Sequence, residues 1–461
     1  ILAQAFCLWF RDGDGRRRKV RAPLLCAQPM SKAARILAPH TVAVKRLFVR
    51  TSGGLEKLLE RELQSLQIPG AFEAVDGGVT AEGPEDILWR IALRSRLAES
   101  VRLEIGDPFH VTREGAFLGN LHSMPWEAYY QLTPAAQPPR VSIHTSNSRL
   151  YHQNMLKEKV RQVFEAKRQE FAKTLADDDD RATAVGGGDP EAPSPPMHVQ
   201  LQYDQCIVGV MAAQNLCRRR YRKAVGTLPL RETCAAAVVL KTPMLKLLSE
   251  TTDGISVWDP FCRSGTIITE ALGIALGHPP GGPQGLQPFA HFPTHSRDRY
   301  EQVVASLRVM PHENVERLTL VGTDADPTEV DAAQRNLHRF VRRMPRPVGD
   351  DSTELPCTVS FFHSPMQRVA KHVRNCLIVT NIPYGEAAGR DRAKKLYRDF
   401  GRMVQSRTDW QGVYVVSARR EFKAMSGLEW RVELRFSNGG IRVELLRWTG
   451  RTKTYAEGED D

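Results

Sequence analysis

From about residue 225 to residue 450, short apolar runs alternate with longer segments in which apolar residues recur at helical spacing. Short apolar runs are typical of buried strands, and the longer spacing is typical of amphipathic helices. Strands are predicted at 255–258, 318–322, 358–362, 376–380 and 413–417, and helices at 231–240, 265–275, 328–341 and 392–405. This alternation predicts an α/β domain with a parallel sheet that helices cover on both faces.

The end of this region has a different pattern. Two strands, at 431–436 and 441–448, flank Ser-Asn-Gly-Gly at 437–440, which is typical of a hairpin turn. The final strand is therefore expected to run antiparallel to the rest of the sheet.

Residues 45–106 show both periodicities on a smaller scale. A strand at 46–50 is followed by Thr-Ser-Gly-Gly and then by leucines at helical spacing: Leu55, Leu58, Leu59, Leu63 and Leu66. A strand broken by glycines is predicted at 75–80, a helix at 85–93 and another strand at 97–105. This order predicts a small ferredoxin-like α+β domain at 45–106.

Residues 107–223 form a second predicted module. Helices are expected at 125–132 and 151–173, and strands at 141–145, 199–203 and 206–212. Between them, 176–196 contains four consecutive aspartates, three consecutive glycines and several prolines. Like charges beside Gly and Pro cannot form a packed core, so this stretch is predicted to be a mobile insertion within the module.

The positive charge is concentrated at the N-terminus. The chain carries a net +11, and residues 1–50 hold eleven Lys and Arg against two acids, a net +9, which leaves +2 for the rest. The basic arm at 1–44 has three possible interpretations: a solvated tail, an organellar import segment or an arm that contacts RNA phosphates. Mitochondrial import is the preferred interpretation, with a cytoplasmic location as the alternative. Because the chain begins at Ile1, a longer precursor is also expected.

Other global features narrow the class of protein. No apolar run approaches the ~18 residues that a spanning helix needs, so no membrane association is expected. The eight cysteines are scattered without any Cys-x-x-Cys, which argues against a zinc site or a disulfide framework. We therefore predict no metal site. With 461 residues, the chain is long enough for two or three domains.

The segment 259–266, Asp-Pro-Phe-Cys-Arg-Ser-Gly-Thr, joins a predicted strand to a predicted helix. Ligands of open α/β sheets bind at the carboxyl ends of the strands, where a glycine-containing turn lets the backbone approach them. The following helix N-terminus adds partial positive charge for a carboxylate. The alternative is a plain strand-to-helix turn.

Two aspartates follow the next strand. A carboxylate there can accept both hydroxyls of a ribose, and Asp324 is the candidate. Asp326 begins Asp-Pro-Thr-Glu, which is typical of a helix N-cap with proline at the first helical position. Asp326 is therefore predicted to cap a helix.

Asn-Ile-Pro-Tyr at 381–384 follows the apolar strand at 376–380. The side-chain carbonyl of Asn381 and the backbone carbonyl of Ile382 can each accept an N–H from the exocyclic amine of a base. Such an amine is a poor nucleophile because its lone pair is delocalised into the ring. The two acceptors would direct that lone pair to a methyl donor. Pro383 would stiffen the backbone, and Tyr384 would stack on the base. The alternative is an Asn-x-Pro turn with a packing aromatic.

A basic run precedes the α/β region: Arg218, Arg219, Arg220, Arg222 and Lys223. It suits either a phosphate-binding surface for RNA or a solvated strand end, and the pattern does not separate the two.

These motifs together point to a family. From about residue 46 to 450 the chain resembles the THUMP-domain RNA guanine-N2 methyltransferases, and in particular the N-terminal methyltransferase module of bacterial large-subunit rRNA enzymes. The resemblance rests on the segments 47–56, 221–222 with 229–233, 259–266, 380–386 and 438–440.

The resemblance implies a Rossmann-like seven-stranded methyltransferase domain at 224–455, behind a ferredoxin-like domain and a THUMP RNA-binding domain at 107–223. It implies S-adenosylmethionine as the cofactor and RNA as the partner, as rRNA or a pre-ribosomal particle. By position, cofactor binding falls to Asp259, Phe261, Gly265, Thr266 and Asp324. The guanine would be held by Asn381, Pro383 and Tyr384.

The chain departs from the family pattern at three places. Arg263 stands where the family has glycine, Ser364 where an acid is expected near the adenine, and Ile382 where a proline is expected. Arg263 predicts crowding or an unfavourable backbone angle beside the cofactor. The alternative function is therefore a catalytically inactive methyltransferase fold that serves as an RNA-binding ribosome assembly factor. A DNA adenine methyltransferase shares Asn-x-Pro-Tyr but does not account for the front half of the chain.

Overall fold

The computed structural model describes residues 44–133, 136–176, 193–224, 229–280, 287–344, 354–383 and 390–452, together with two short strands near the N-terminus. Those strands, β1 (Trp9–Arg11) and β2 (Arg17–Lys19), pair antiparallel within a separate unit, residues 1–43. Most of the predicted basic arm, and residues 177–192 of the predicted insertion, lie outside the described residues.

The predicted ferredoxin-like domain is confirmed. Its elements are β3 (Lys45–Arg50), α1 (Glu56–Ser65), β4 (Ala71–Val75), β5 (Gly78–Gly83), α2 (Ile87–Arg94) and β6 (Ser100–Glu104). The strand order β4-β5-β3-β6 is antiparallel throughout. The single strand predicted at 75–80 is wrong, because the chain reverses at Asp76 and Gly77, where Gly77 has a φ of +76°. Glycine adopts this left-handed conformation at little cost.

The second module continues the same sheet. It contains β7 (Phe109–His110), α3 (Glu114–His122), β8 (Val141–Ser146), α4 (Gln153–Ala176), β9 (Met197–Gln202) and β10 (Gln205–Ala213). Because β10 pairs with β6 of the ferredoxin-like domain, both modules share one eight-stranded sheet. The helix predicted at 125–132 is only a 3-10 turn, Trp126–Ala128, and the sequence pattern missed α3.

The predicted seven-stranded domain is also confirmed. Its helices are α5 (Glu232–Leu240), α6 (Met244–Glu250), α7 (Thr266–Ala275), α8 (Arg297–Ser306), α9 (Pro327–Val341), α10 (Met366–Val369), α11 (Arg390–Gln405) and α12 (Arg420–Met425). Its strands are β11 (Ile255–Asp259), β12 (Leu318–Asp324), β13 (Thr358–His363), β14 (Cys376–Asn381), β15 (Gly412–Ser417), β16 (Leu428–Asn438) and β17 (Ile441–Thr452). None of the described helices is long and apolar enough to cross a membrane.

The strand order is β13-β12-β11-β14-β15-β17-β16. The first five strands are parallel to their neighbours, and β17 enters antiparallel between β15 and β16, as the hairpin signal predicts. Alternate residues of β14 face opposite sides: Leu377 packs in one core cluster and Ile378 in the other. Both faces of the strand are therefore buried, which explains its uninterrupted apolar sequence.

A buried ionic cluster connects the ferredoxin-like domain to the methyltransferase domain. Glu270 on α7 is 2% exposed at its side chain and pairs with Arg96 at 3.2 Å and with Arg219 at 3.4 Å. The Tyr221 hydroxyl donates to the same carboxylate at 2.9 Å. Arg219 also donates to the Arg96 carbonyl at 2.7 Å, so the cluster joins three segments of the chain.

Replacing Glu270 by Gln should destabilise the protein strongly, because two buried guanidinium groups lose their counter-charge. We expect a loss of about 3–5 kcal/mol in the free energy of unfolding, measured by urea denaturation. The matched control is Glu301→Gln, which breaks the exposed pair with Arg297 and should leave the free energy of unfolding nearly unchanged. Equal effects of the two substitutions would contradict this role of the cluster.

Candidate active site

The candidate site lies where β11 and β14 end side by side. These strands are parallel neighbours, yet β12 and β13 separate them along the chain, so the strand order reverses between them. Such a reversal opens a crevice at the carboxyl ends of the strands. The Thr380 hydroxyl donates to Asp259 Oδ1 at 2.5 Å and ties the two strand ends together.

Two hydrogen bonds hold the turn after β11, one within the turn and one from a buried asparagine. The Phe261 amide donates to Asp259 Oδ1 at 3.1 Å, and Asn336 of α9 donates to the Ser264 carbonyl at 3.0 Å. Gly265 precedes α7 with a φ of +78°. A Cβ there would lie 2.8 Å from Phe361, so both the conformation and the space require glycine.

Asp259 is an unusual carboxylate, since it is 2% exposed. Burial raises the pKa of its carboxyl to about 7, although the hydrogen bonds from Thr380 and Phe261 act in the opposite direction. A buried acid of this kind gains from a cationic ligand placed nearby.

The two aspartates after β12 have different surroundings. Asp326 accepts the Thr328 amide at 2.9 Å and caps α9, which confirms the predicted cap. The hydrogen bond from the Thr328 hydroxyl, at 2.7 Å, and the one from its amide lower the pKa of the Asp326 carboxyl. Asp324 is partly exposed and accepts the Arg263 amide at 3.0 Å. Its carboxylate thus joins the end of β12 to the turn after β11, and its role towards a ribose stays a prediction.

Asn381, the last residue of β14, is 4% exposed, and its Oδ1 has no hydrogen-bond donor among the residues that the structure describes. A buried amide oxygen without a partner is costly, so a donor from a bound ligand would stabilise it. The next residues are also fixed: the Ile382 amide donates to the Val416 carbonyl at 3.2 Å, and the Tyr397 hydroxyl to the Pro383 carbonyl at 3.1 Å. Tyr384 lies outside the described residues.

One cleft joins four of the eight residues predicted to bind the cofactor or the base. Asp259, Phe261, Thr266 and Asn381 all line it. Cys262, Arg263 and Ser264 of the predicted turn also line it, together with Arg222, Pro229, Leu230 and Ile267, which were not assigned to the cofactor or the base from the sequence. Tyr397 was not singled out either, and its signal is its place on the apolar stripe of α11 together with Phe400 and Val404.

Comparison with known proteins agrees with this geometry. Residues 219–443 match the family model described as the RMKL-like methyltransferase domain, and residues 46–102 match that of the RlmL ferredoxin-like domain. The chain carries an RMKL-like methyltransferase domain.

Relatives with curated names are similar over most of this chain. The ribosomal RNA large subunit methyltransferase K/L of Legionella pneumophila is 27% identical over 410 residues, which are 87% of this chain and 52% of that protein. The chain therefore spans about half the length of the K/L methyltransferases that it matches.

Solved structures share the fold of the RMKL-like domain and of the front modules. A possible methylase from Clostridium difficile 630 has a TM-score of 0.68 and 22% identity, covering 90% of this chain and 100% of its own. SMU.472, a putative methyltransferase complexed with SAH, has a TM-score of 0.67 and 20% identity, covering 89% and 99%. The assignment of 107–223 as a THUMP module stays a prediction.

The described residues of the RMKL-like domain fit S-adenosylmethionine. The buried Asp259 suits the cationic end of this cofactor, and the N-terminus of α7, which begins after the left-handed Gly265, suits its carboxylate. When bound, this cofactor supplies an electrophilic methyl group.

The basic run divides into two groups. The side chains of Arg219 and Arg222 are 3% and 4% exposed and pair with Glu270 and Glu232. Burial of these two side chains against carboxylates disfavours their contact with RNA, and their assignment to RNA binding stays a prediction. The other members, Arg218, Arg220 and Lys223, are exposed, and their contact with RNA stays a prediction.

Arg263 has the unfavourable backbone angle that is predicted for a residue other than glycine at this position. Its φ is +46°, a left-handed value that is unfavourable for a residue with a Cβ. Ser364 is buried, and its amide donates to the Asp324 carbonyl at 3.1 Å.

Asp259 should make the stability of the RMKL-like domain depend on pH. The folded protein keeps this carboxyl protonated up to about pH 7, whereas the unfolded chain loses the proton near pH ~4. The free energy of unfolding should therefore fall as the pH rises from ~4 to ~7 and then level off. Asp259→Asn removes this contribution and keeps both hydrogen bonds. Urea denaturation of both proteins across this pH range checks the difference, and identical pH profiles would refute it.

Proposed function

We propose that this protein transfers a methyl group from S-adenosylmethionine to the exocyclic amino group of a guanine in RNA, and that this RNA is rRNA. The observation that supports this proposal best is the buried Asn381 side-chain oxygen, which lines the cofactor cleft and accepts no hydrogen bond from any described residue. The N–H of an exocyclic amine is the donor that this oxygen requires.

In this proposal the residues promote methyl transfer by orienting the amine. Asn381 Oδ1 accepts one N–H and the Ile382 carbonyl accepts the other, so the nitrogen lone pair is held towards the methyl donor. The Tyr397 bond to Pro383 and the Ile382 amide bond to β15 keep both acceptors in place. In this proposal Tyr384 stacks on the base, which is worth ~1–3 kcal/mol.

An RNA substrate is favoured by the front half of the chain. The RlmL ferredoxin-like match, the proposed THUMP module and the exposed Arg218, Arg220 and Lys223 together provide a docking region beside the catalytic domain. We also propose mitochondrial import through the basic arm at 1–44. A fusion of residues 1–45 to a fluorescent reporter tests it, and a cytosolic reporter would contradict it.

Asn381→Ala should lower the rate of methyl transfer to RNA by roughly 10²–10³-fold, because one of the two acceptors for the amine is lost. RNA affinity should stay unchanged, since docking depends on the front modules. The measurements are transfer of labelled methyl groups and a filter-binding titration. Gln302→Ala, an exposed change on α8, is the control and should behave as the unaltered protein. Equal activity of both variants would remove Asn381 from the mechanism.

The alternative function, an inactive RNA-binding factor in ribosome assembly, is favoured by one observation, the left-handed conformation of Arg263 beside the cofactor turn. Titration calorimetry with S-adenosylmethionine separates the two functions. Enzymatic function predicts micromolar binding by the unaltered chain, and Arg263→Gly should bind equally or more tightly because glycine relieves the backbone. No binding by the unaltered chain, with binding restored in Arg263→Gly, would favour the assembly factor.

A further inference from the structure

The guanidinium group of Arg222 lines the cofactor cleft, and only one of its terminal nitrogens contacts described residues. Its side chain is 4% exposed. One terminal nitrogen, Nη1, donates to the Leu230 carbonyl at 2.8 Å and lies 3.2 Å from a carboxylate oxygen of Glu232. This side of the group is fully engaged with the protein.

The other side has no partner among the described residues. Both Nε and Nη2 are buried and make no hydrogen bond. These two nitrogens form one edge of the planar group, with two parallel N–H bonds at the spacing of a carboxylate's oxygens. Leaving two charged donors buried without acceptors is unfavourable, so the edge is suited to a bound oxyanion.

The position of Arg222 indicates which oxyanion this is. It lines the cleft with Thr266 and Ile267, the first two residues of α7, and with Asp259. Asp324, the predicted ribose ligand, is not among the described residues that line this part of the cleft. The cleft therefore corresponds to the methionine end of the cofactor, where its single carboxylate lies.

We propose that the Nε–Nη2 edge of Arg222 binds the α-carboxylate of S-adenosylmethionine side-on, an inference that rests on the proposed function. Glu232 acts as a positioning residue, since its contact with Nη1 holds the guanidinium group in the cleft that the first residues of α7 also line. The N-terminus of α7, a helix of 10 residues, adds positive potential on the same carboxylate. Arg222 is thus assigned to the cofactor and not to RNA.

Decarboxylated S-adenosylmethionine, which lacks only the carboxylate, is the matched probe. Titration calorimetry of the unaltered chain should show tighter binding of S-adenosylmethionine. Arg222→Lys keeps the charge but loses the edge, and should weaken S-adenosylmethionine binding by about 10- to 100-fold. Binding of the decarboxylated compound should change by less than about 3-fold. The ratio of the two affinities within one sample does not depend on the folded fraction. Arg220→Lys is the control, because Arg220 is exposed, and should leave the ratio unchanged.

Several results would overturn the assignment. An equal loss for both ligands in Arg222→Lys, or no preference in the unaltered chain, would show that the carboxylate is not bound by this edge. A loss of RNA affinity with both ligand affinities intact would assign the edge to a phosphate of the substrate. Failure of the unaltered chain to bind either ligand would overturn the proposed function as well, which distinguishes the two failures.

Discussion

The site depends on one constraint of topology, the parallel pairing of β11 with β14. These strands lie far apart in sequence, yet their pairing places Asp259 and Asn381 at the same edge of the sheet, and the Thr380–Asp259 hydrogen bond fixes that register at 2.5 Å. The crevice that opens between them contains a turn for the cofactor on one side and an acceptor for a base on the other. If the strands separated, the two halves of the proposed reaction would no longer face each other.

The front modules and the catalytic domain are built as one unit around this edge. The turn at 51–54 contacts the final hairpin, where the Ser437 amide donates to the Gly53 carbonyl at 2.9 Å. Asn438 in turn accepts the Arg231 amide at 3.0 Å. The Glu270 cluster adds a second junction next to α7. The segments that carry the family resemblance therefore largely meet in space, and they connect the front modules to the domain that contains the cleft.

Much of this could be predicted from sequence because the parallel sheet is buried on both faces. Its strands are apolar runs and its helices have strong stripes, so both periodicities are visible, and the motifs follow the strands directly. Other elements left no such signal. Only Val303 of α8 is buried, so that helix lacks an apolar stripe. Arg219 and Arg222 resemble a solvated basic run because their partners, Glu270 and Glu232, lie elsewhere in the chain and only the fold brings them together.

The central claim is that the side-chain oxygen of Asn381 accepts a hydrogen bond from the exocyclic amino group of a guanine. The most direct measurement incubates the protein with methyl-labelled S-adenosylmethionine and total RNA from cells that lack it, followed by digestion to nucleosides and mass spectrometry. The account predicts labelled N2-methylguanosine in an rRNA fragment. Label in N6-methyladenosine would contradict the assigned base, and absence of label despite cofactor binding would contradict the enzymatic role.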